Sequence, residues 1–201
     1  MSNRRFRFLL LFALLLAVAI ALWSQAASHT QATYDAAARS AQRKFDHIEQ
    51  NGKLAHPDPA PTVLTEREIN AWFASDQADL PKGVHTLKLQ ADPGIIHGTA
   101  DVNFDEVTGG RYSANPLMSL FSGVHQVTAT AHAQGANGIG QVHIDSVALD
   151  GVAVPRMALE YFVERYIHPK YPDLGIDSQF KLPSKINQSE VEDRQVTIVQ
   201  K

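Results

Sequence analysis

Nine histidines are spread through a 201-residue chain that holds no cysteine. Imidazole without thiolate leaves nitrogen–oxygen metal sites or histidine–carboxylate acid–base pairs as the available chemistry. The spacing does not assemble either one. His125 and His132 differ by seven on one expected strand, so they face opposite sides. His143 and Asp145 share a face, as do His97 and Asp101. Two ligands on a wet strand face still lack the third that zinc needs. No metal and no cofactor is therefore expected, and the histidines are expected to be solvated. An acid–base role would require His97, Asp101 and His143 to converge in space. Neither a Gly-x-Ser-x-Gly elbow nor a His-Glu-x-x-His helix is present, which removes two common hydrolase designs. Glu160 and Glu164 lie one turn apart on an expected helix, with Arg156 and Arg165 nearby, the pattern of a salt-bridged outer face. Gly135, Gly138 and Gly140 join two expected antiparallel strands. A phosphate cradle would open a helix instead, so these glycines mark a hairpin turn. The chain is read as non-enzymatic.

The elements around these residues begin with an export segment. Arg4, Arg5 and Arg7 precede an apolar run of 16 residues from Phe8 to Trp23, and no acidic residue occurs before Asp35. A basic flank followed by an apolar run is the signature of an export signal or N-terminal membrane anchor. Residues 1–27 are thus a signal anchor or a signal peptide, with Ser24-Gln25-Ala26 offering small residues for cleavage after Ala26. The positive-inside rule leaves the N-terminus in the cytoplasm and residues 28–201 in the periplasm, held to the inner membrane by a single pass or released by cleavage. Beyond the three arginines, 15 basic and 21 acidic residues remain, a net charge of −6 with histidine neutral. That balance excludes nucleic acid, whose phosphates demand clustered Lys and Arg.

Residues 28–62 form a helical stalk or packing helix and a linker. Tyr34, Ala37, Ala38, Ala41, Phe45 and Ile48 make a thin apolar stripe at helical spacing. Pro57, Pro59 and Pro61 then stiffen the chain. Residues 63–201 are the envelope domain. Thr65-Glu66-Arg67-Glu68 has the form of a capping box, opening a helix with Ile69, Trp72 and Phe73 on one face. Val84 to Ala91 and Ile95 to Phe104 predict a hairpin about Asp92-Pro93-Gly94. Asn115 to Gly123 predicts a short helix, and Val124 to Ala133 and Ile139 to Leu149 predict two strands, the second bulged near Asp145-Ser146. Pro155 opens a helix to about His168 with Leu159, Phe162, Val163 and Tyr166 as its apolar face. A loop follows, tethered by Phe180, Leu182 and Ile186, and Gln195 to Gln200 is a last, exposed edge strand. The fold class is α+β: a membrane helix and a stalk helix, then a curved, mainly antiparallel sheet packed against an amphipathic helix.

Small residues dominate the inward faces of the strands: Gly98, Ala100, Ala129, Ala131 and Ala133. Either the stretch from Tyr161 to Ile167 fills the space they leave, or sheet and helix enclose a groove for an acyl chain. Three features carry a family resemblance: Thr65-Glu66-Arg67-Glu68-Ile69-Asn70 opening a helix before long strands, the 139–149 strand running through Leu149-Asp150-Gly151-Val152-Ala153-Val154-Pro155 into a helix, and the N-terminal anchor. Together they resemble small membrane-anchored bacterial proteins similar to the tubular lipid-binding (TULIP-like) superfamily, over residues 63–200. The resemblance implies a curled sheet around a helix and an apolar groove lined by Ile96, Ala100, Ala131, Leu159, Phe162, Val163 and Tyr166. It implies a lipid or fatty acid ligand and carries no catalytic residues. The competing expectation is a non-catalytic module that binds another envelope protein, for instance by strand addition at an exposed edge.

Overall fold

The computed structural model describes residues 31–110, 116–173 and 175–201. The anchor segment lies outside them, and among the described residues no helix is long and apolar enough to cross a membrane. The protein is α+β with an open sheet whose strand pairs are all antiparallel among the described residues.

Helix α1 spans 31–53. Its stripe of Ala37, Ala38, Ala41 and Ile48 is buried, whereas Tyr34 is exposed. Strand β1 (Thr62–Thr65) leads directly into α2 (Glu66–Phe73). The Thr65 hydroxyl accepts from the Glu68 amide and the Glu68 carboxylate accepts from the Thr65 amide, so the capping box forms as its spacing predicts. Strands β2 (Val84–Asp92) and β3 (Ile95–Asn103) make the expected hairpin. The chain leaves β3 one residue early, because Asn103 caps a short helix, α3 (Phe104–Thr108), by accepting from the Asp105 and Glu106 amides. Pro116–Phe121 is a 3-10 turn where the sequence predicts a short α-helix.

Strands β4 (Val124–Ala136) and β5 (Ile139–Leu149) form the longest hairpin, closed at Asn137 and Gly138 with both φ angles positive. Register passes from Thr130↔Ser146 to Ala131↔Ile144, so Asp145 is the extra residue of a bulge at its predicted place. After β6 (Val152–Ala153), α4 (Arg156–Phe162) continues as a π-helical turn over Val163–Ile167. The expected tether loop instead yields two strands, β7 (Asp177–Lys181) and β8 (Ile186–Glu192). Their polar sequences, DSQFK and INQSEVE, hide them from a reading based on apolar alternation. Finally β9 (Gln195–Gln200) lies between β1 and β8, so the expectation that Gln195 to Gln200 is an exposed edge is corrected.

The sheet runs β1-β9-β8-β4-β3-β2, with β5 on the other side of β4 and β6 and β7 beyond β5. Directly paired residues point to one face, and alternate residues share it. From Ala131, that rule carries along β4 to Gly135, across to Ser189 and on to Ile198. Ile198 packs beside Ala41, Ile48 and Leu64, with Phe45, Ile69 and Trp72 around them. At the opposite end Val102, Phe104, Phe121, Leu149, Ala158, Phe162 and Tyr166 form a second core. Helices α1 and α2 and helix α4 therefore stand over one face of the sheet, at its two ends. The α1 end is fastened by polar ties. Asn51 Nδ2 donates to Gln200 Oε1 (2.9 Å), and Gln200 Nε2 donates to the Ile48 carbonyl (2.8 Å). A Cβ on Gly52 would run into the Ser184 carbonyl oxygen, so a larger residue would force the helix away from that loop.

Candidate functional site

The hydrogen-bond register stacks the apolar side chains in rungs across four strands. Leu87, Ala100, Val127 and Leu149 form one rung, and Leu89, Gly98, Ala129 and Val147 the next. Ala91, Ile96, Ala131 and Ile144 form the third. The first rung is covered: Ala100, Val127 and Leu149 belong to the core beneath Phe162. In the second and third rungs every residue but Ala91 is only half-buried, and none joins either helix-covered core among the described residues. A Cβ built on Gly98 would meet only Leu89 Cδ2, at 3.6 Å. The middle of the face is thus an apolar strip between two packed ends, floored by small residues.

The structure divides the seven expected groove residues. Ile96 and Ala131 are register partners in the strip. Ala100, Phe162 and Tyr166 lie in the closed core, where the Phe162 ring stacks on Phe121 at 4.4 Å between centroids and meets Phe104 edge-on at 5.5 Å. Leu159 and Val163 are half-buried. One turn apart, they form the helix stripe between the buried Ala158–Phe162 stripe and the exposed Arg156–Glu160 stripe. Of the two ways to use the space left by small residues, the helix fills one end and leaves the middle. Leu89, Ile144 and Val147 also line the strip, but nothing in their local sequence marks them, because only the register places them opposite Gly98, Ala131 and Ala129.

The other face of the same strands is polar. His132 and His143 are direct cross-strand partners, and His143 pairs in turn with Asp177. Gln134, Gln141 and Gln179 form the adjacent rung. With Gly94 and Ser178 these side chains border an open cavity of about 590 Å³. The bulged Asp145 sits between the histidines: Oδ2 is 2.8 Å from His132 Nδ1 and Oδ1 is 3.6 Å from His143 Nε2. His143 Nδ1 hydrogen-bonds Asp177 Oδ1, while Arg156 Nη2 donates to Asp177 Oδ2 (3.3 Å) and Arg156 Nε to Glu160 Oε1 (2.9 Å). The hydrogen bond with His143, joined by the charges of His143 and Arg156, holds the Asp177 carboxyl below its ordinary value, although desolvation opposes it.

His97, Asp101 and His143 do not converge. The His97 ring meets Thr130 (3.0 Å) and Asp92 (3.3 Å), Asp101 accepts from Thr86 (2.8 Å), and His143 keeps the partners just described. The histidine that joins His143 is His132: its spacing along β4 relates it only to His125, and its partner on the neighbouring strand exists only in the register. Comparison of this chain with family models, curated proteins and solved structures returns no match in any of the three.

Proposed function

We propose that the protein is a membrane-anchored extracytoplasmic domain that binds a lipid acyl chain or fatty acid along the apolar strip of its sheet. The observation that carries this reading is the run of half-buried Leu89, Gly98, Ile96, Ala129, Ala131, Ile144 and Val147 between two packed helical ends. Small side chains on a regular sheet give a shallow, smooth floor that suits a flexible hydrocarbon. Covering such a floor gains roughly 25 cal/mol for each Å² of apolar surface removed from water. The arginine-flanked apolar run from Phe8 to Trp23 supports placement at a bacterial inner membrane, with residues 28–201 in the periplasm. The resemblance to tubular lipid-binding proteins points the same way.

The test is photocrosslinking of the full-length chain in membranes with a diazirine-bearing fatty acid. Adducts should map to the peptides of β3, β4 and β5 that carry Ile96, Ala131 and Ile144. Gly98→Leu should remove most of them while leaving thermal stability within a few degrees, because the new Cβ makes only an ordinary contact. Adducts confined to the N-terminal segment, or unchanged by Gly98→Leu, would overturn the reading. The second reading, a non-catalytic module for another envelope protein, draws on the free edges of β1 and β7, each of which pairs on one side among the described residues. Loss of a protein partner on placing proline in β7, with fatty-acid adducts absent, would favour it.

A further inference from the structure

An open sheet must guard its edge strands against pairing with other chains. Among the described residues the edges are β1, β2, β6 and β7, and three of them are covered or blunted. Asn70 and Glu66 bond the outer side of β2. β1 is four residues long and follows Pro59 and Pro61. β6 is two residues long and runs through Pro155 into α4. β7 has none of these devices. It carries no proline, and among the described residues it pairs with β5 alone, with no other strand or helix packed along it.

The backbone of β7 is set for a partner. The Ile144 amide donates to the Ile176 carbonyl and the Leu182 amide to the Gly138 carbonyl (both 2.8 Å). Alternate residues of an antiparallel ladder face the same neighbour, so Ser178 and Phe180 turn their main-chain groups to β5. Those of Asp177, Gln179 and Lys181 therefore point outward from the sheet. The side chains agree, because DSQFK is its own complement. Antiparallel pairing of two copies about Gln179 sets Asp177 opposite the partner's Lys181, and Lys181 opposite the partner's Asp177. All three matched positions are hydrogen-bonded pairs, since they hold the outward groups. The Asp177 side chain is still 65% exposed beside His143 and Arg156, and Lys181 has no ion pair among the described residues. On the opposite face each Phe180 lies diagonal to the other, within reach of an aromatic ring. A slip of two residues would lose both charge pairs, so the charges fix the register.

We infer that the protein forms a two-fold symmetric dimer by pairing β7 with β7 of a second copy, which joins the two sheets into one. The cavity on the polar face ends at Asp177 and Gln179, so the partner's Lys181 and Gln179 complete its outer wall. The rung of Gln134, Gln141 and Gln179 then continues across the axis. A five-residue edge buries little surface, and tethering both copies to one membrane would offset this by raising their effective concentration. The pairing needs no ligand on the apolar strip, so it stands or falls apart from lipid binding.

The chain holds no cysteine, so one introduced cysteine reports on one place. Full-length Gln179→Cys in lipid vesicles should form a disulfide-linked dimer on mild oxidation, since hydrogen-bonded partners stand about 5.5 Å apart at Cα. Lys88→Cys, on the covered edge of β2, should crosslink only at the rate of chance collision. Adding Lys181→Asp to Gln179→Cys should cut the crosslinked fraction about 10-fold, as should adding Asp177→Lys, because like charges then face each other. Mixing those two variants should restore most of it, as each supplies the charge the other lacks. All three side chains are exposed, so circular dichroism should not change. In the wild-type chain, hydrogen exchange at the Gln179 and Lys181 amides should slow as chain density in the membrane rises. Equal crosslinking at Gln179→Cys and Lys88→Cys would overturn the pairing. So would a Gln179→Cys dimer that survives Lys181→Asp, or a mixture that restores nothing.

Discussion

Glu68 shows how much one side chain can tie together. Its carboxylate accepts from the Thr65 amide (2.9 Å) to close the cap of α2, from Ser40 Oγ (2.7 Å) and from Lys44 Nζ (2.7 Å) on α1. Burial opposes the charged form, but these donors outweigh it and hold the pKa at about 2. The value in the unfolded chain is about 4.3. A carboxyl depressed on folding contributes stability that is present above the unfolded pKa and is lost as pH falls through the folded one. That contribution should therefore decline between about pH 4.5 and pH 2. Lys44 is one-third exposed and solvent screens the pair, so roughly 1–2 kcal/mol is at stake. Urea denaturation should show wild type losing that amount between pH 5 and pH 2.5. Glu68→Gln should be destabilised at pH 7 by a similar amount and decline less over the same interval. Parallel pH profiles for the two proteins would refute the assignment.

At the scale of elements, the edge of β2 is closed by a helix side chain. Asn70 of α2 donates to the Leu89 carbonyl (2.7 Å) and accepts from the Leu89 amide (2.7 Å), as a neighbouring strand would. Glu66 accepts from the Ala91 amide one rung along (3.2 Å). Open edges invite pairing with other chains, and this one is covered. Asn70→Ala should cost about 1–3 kcal/mol through the two unpaired groups it leaves on Leu89. It should also speed hydrogen exchange at the Leu89 amide selectively, and uniform exchange changes across β2 would contradict the local origin. What the sequence shows and hides among these elements follows one rule. The box from Thr65 to Glu68, the hairpin about Pro93, the bulge at Asp145 and the α1 stripe are legible because each is written in contiguous residues. Asn70, β7 and β8 are not, because their meaning depends on a distant partner. Asn70 makes sense only beside Leu89, and the DSQFK of β7 only beside β5. The sites divide in the same way: His143 and Asp145 are neighbours in sequence, whereas the pairing of His132 with His143 exists only in the register.

For the whole molecule, the question is whether α1 is a stalk hung on a domain or part of its fabric. Two cores lie at opposite ends of one sheet face and share no residue: one around Ala41, Ile48 and Leu64, the other around Phe104 and Phe162. What joins them is backbone. β4 spans the face, meeting β3 for most of its length and β8 at Gly135↔Ser189. The β2–β3 turn is fixed to β8 by the Gly94 amide bonding to the Val191 carbonyl (2.9 Å). Cross-strand ties of this kind cannot be broken at one end without exposing unpaired groups near the other, so the two cores should unfold together. Trp72 reports on the first core, since its ring lies 4.9 Å from Phe45 and its Nε1 donates to Gln42 on α1. Phe162→Ala removes a buried ring from the second core and should cost about 3–5 kcal/mol. If the sheet makes one cooperative unit, that distant truncation should lower the urea midpoint of the Trp72 fluorescence change as far as that of circular dichroism. Combined with Ile48→Ala, it should add to within about 0.5 kcal/mol, as sites without shared partners do. A Trp72 transition left in place by Phe162→Ala would show instead that α1, α2 and β1 fold as a separate unit. The strip between the cores would then be a seam between two bodies, whose width a bound chain could set.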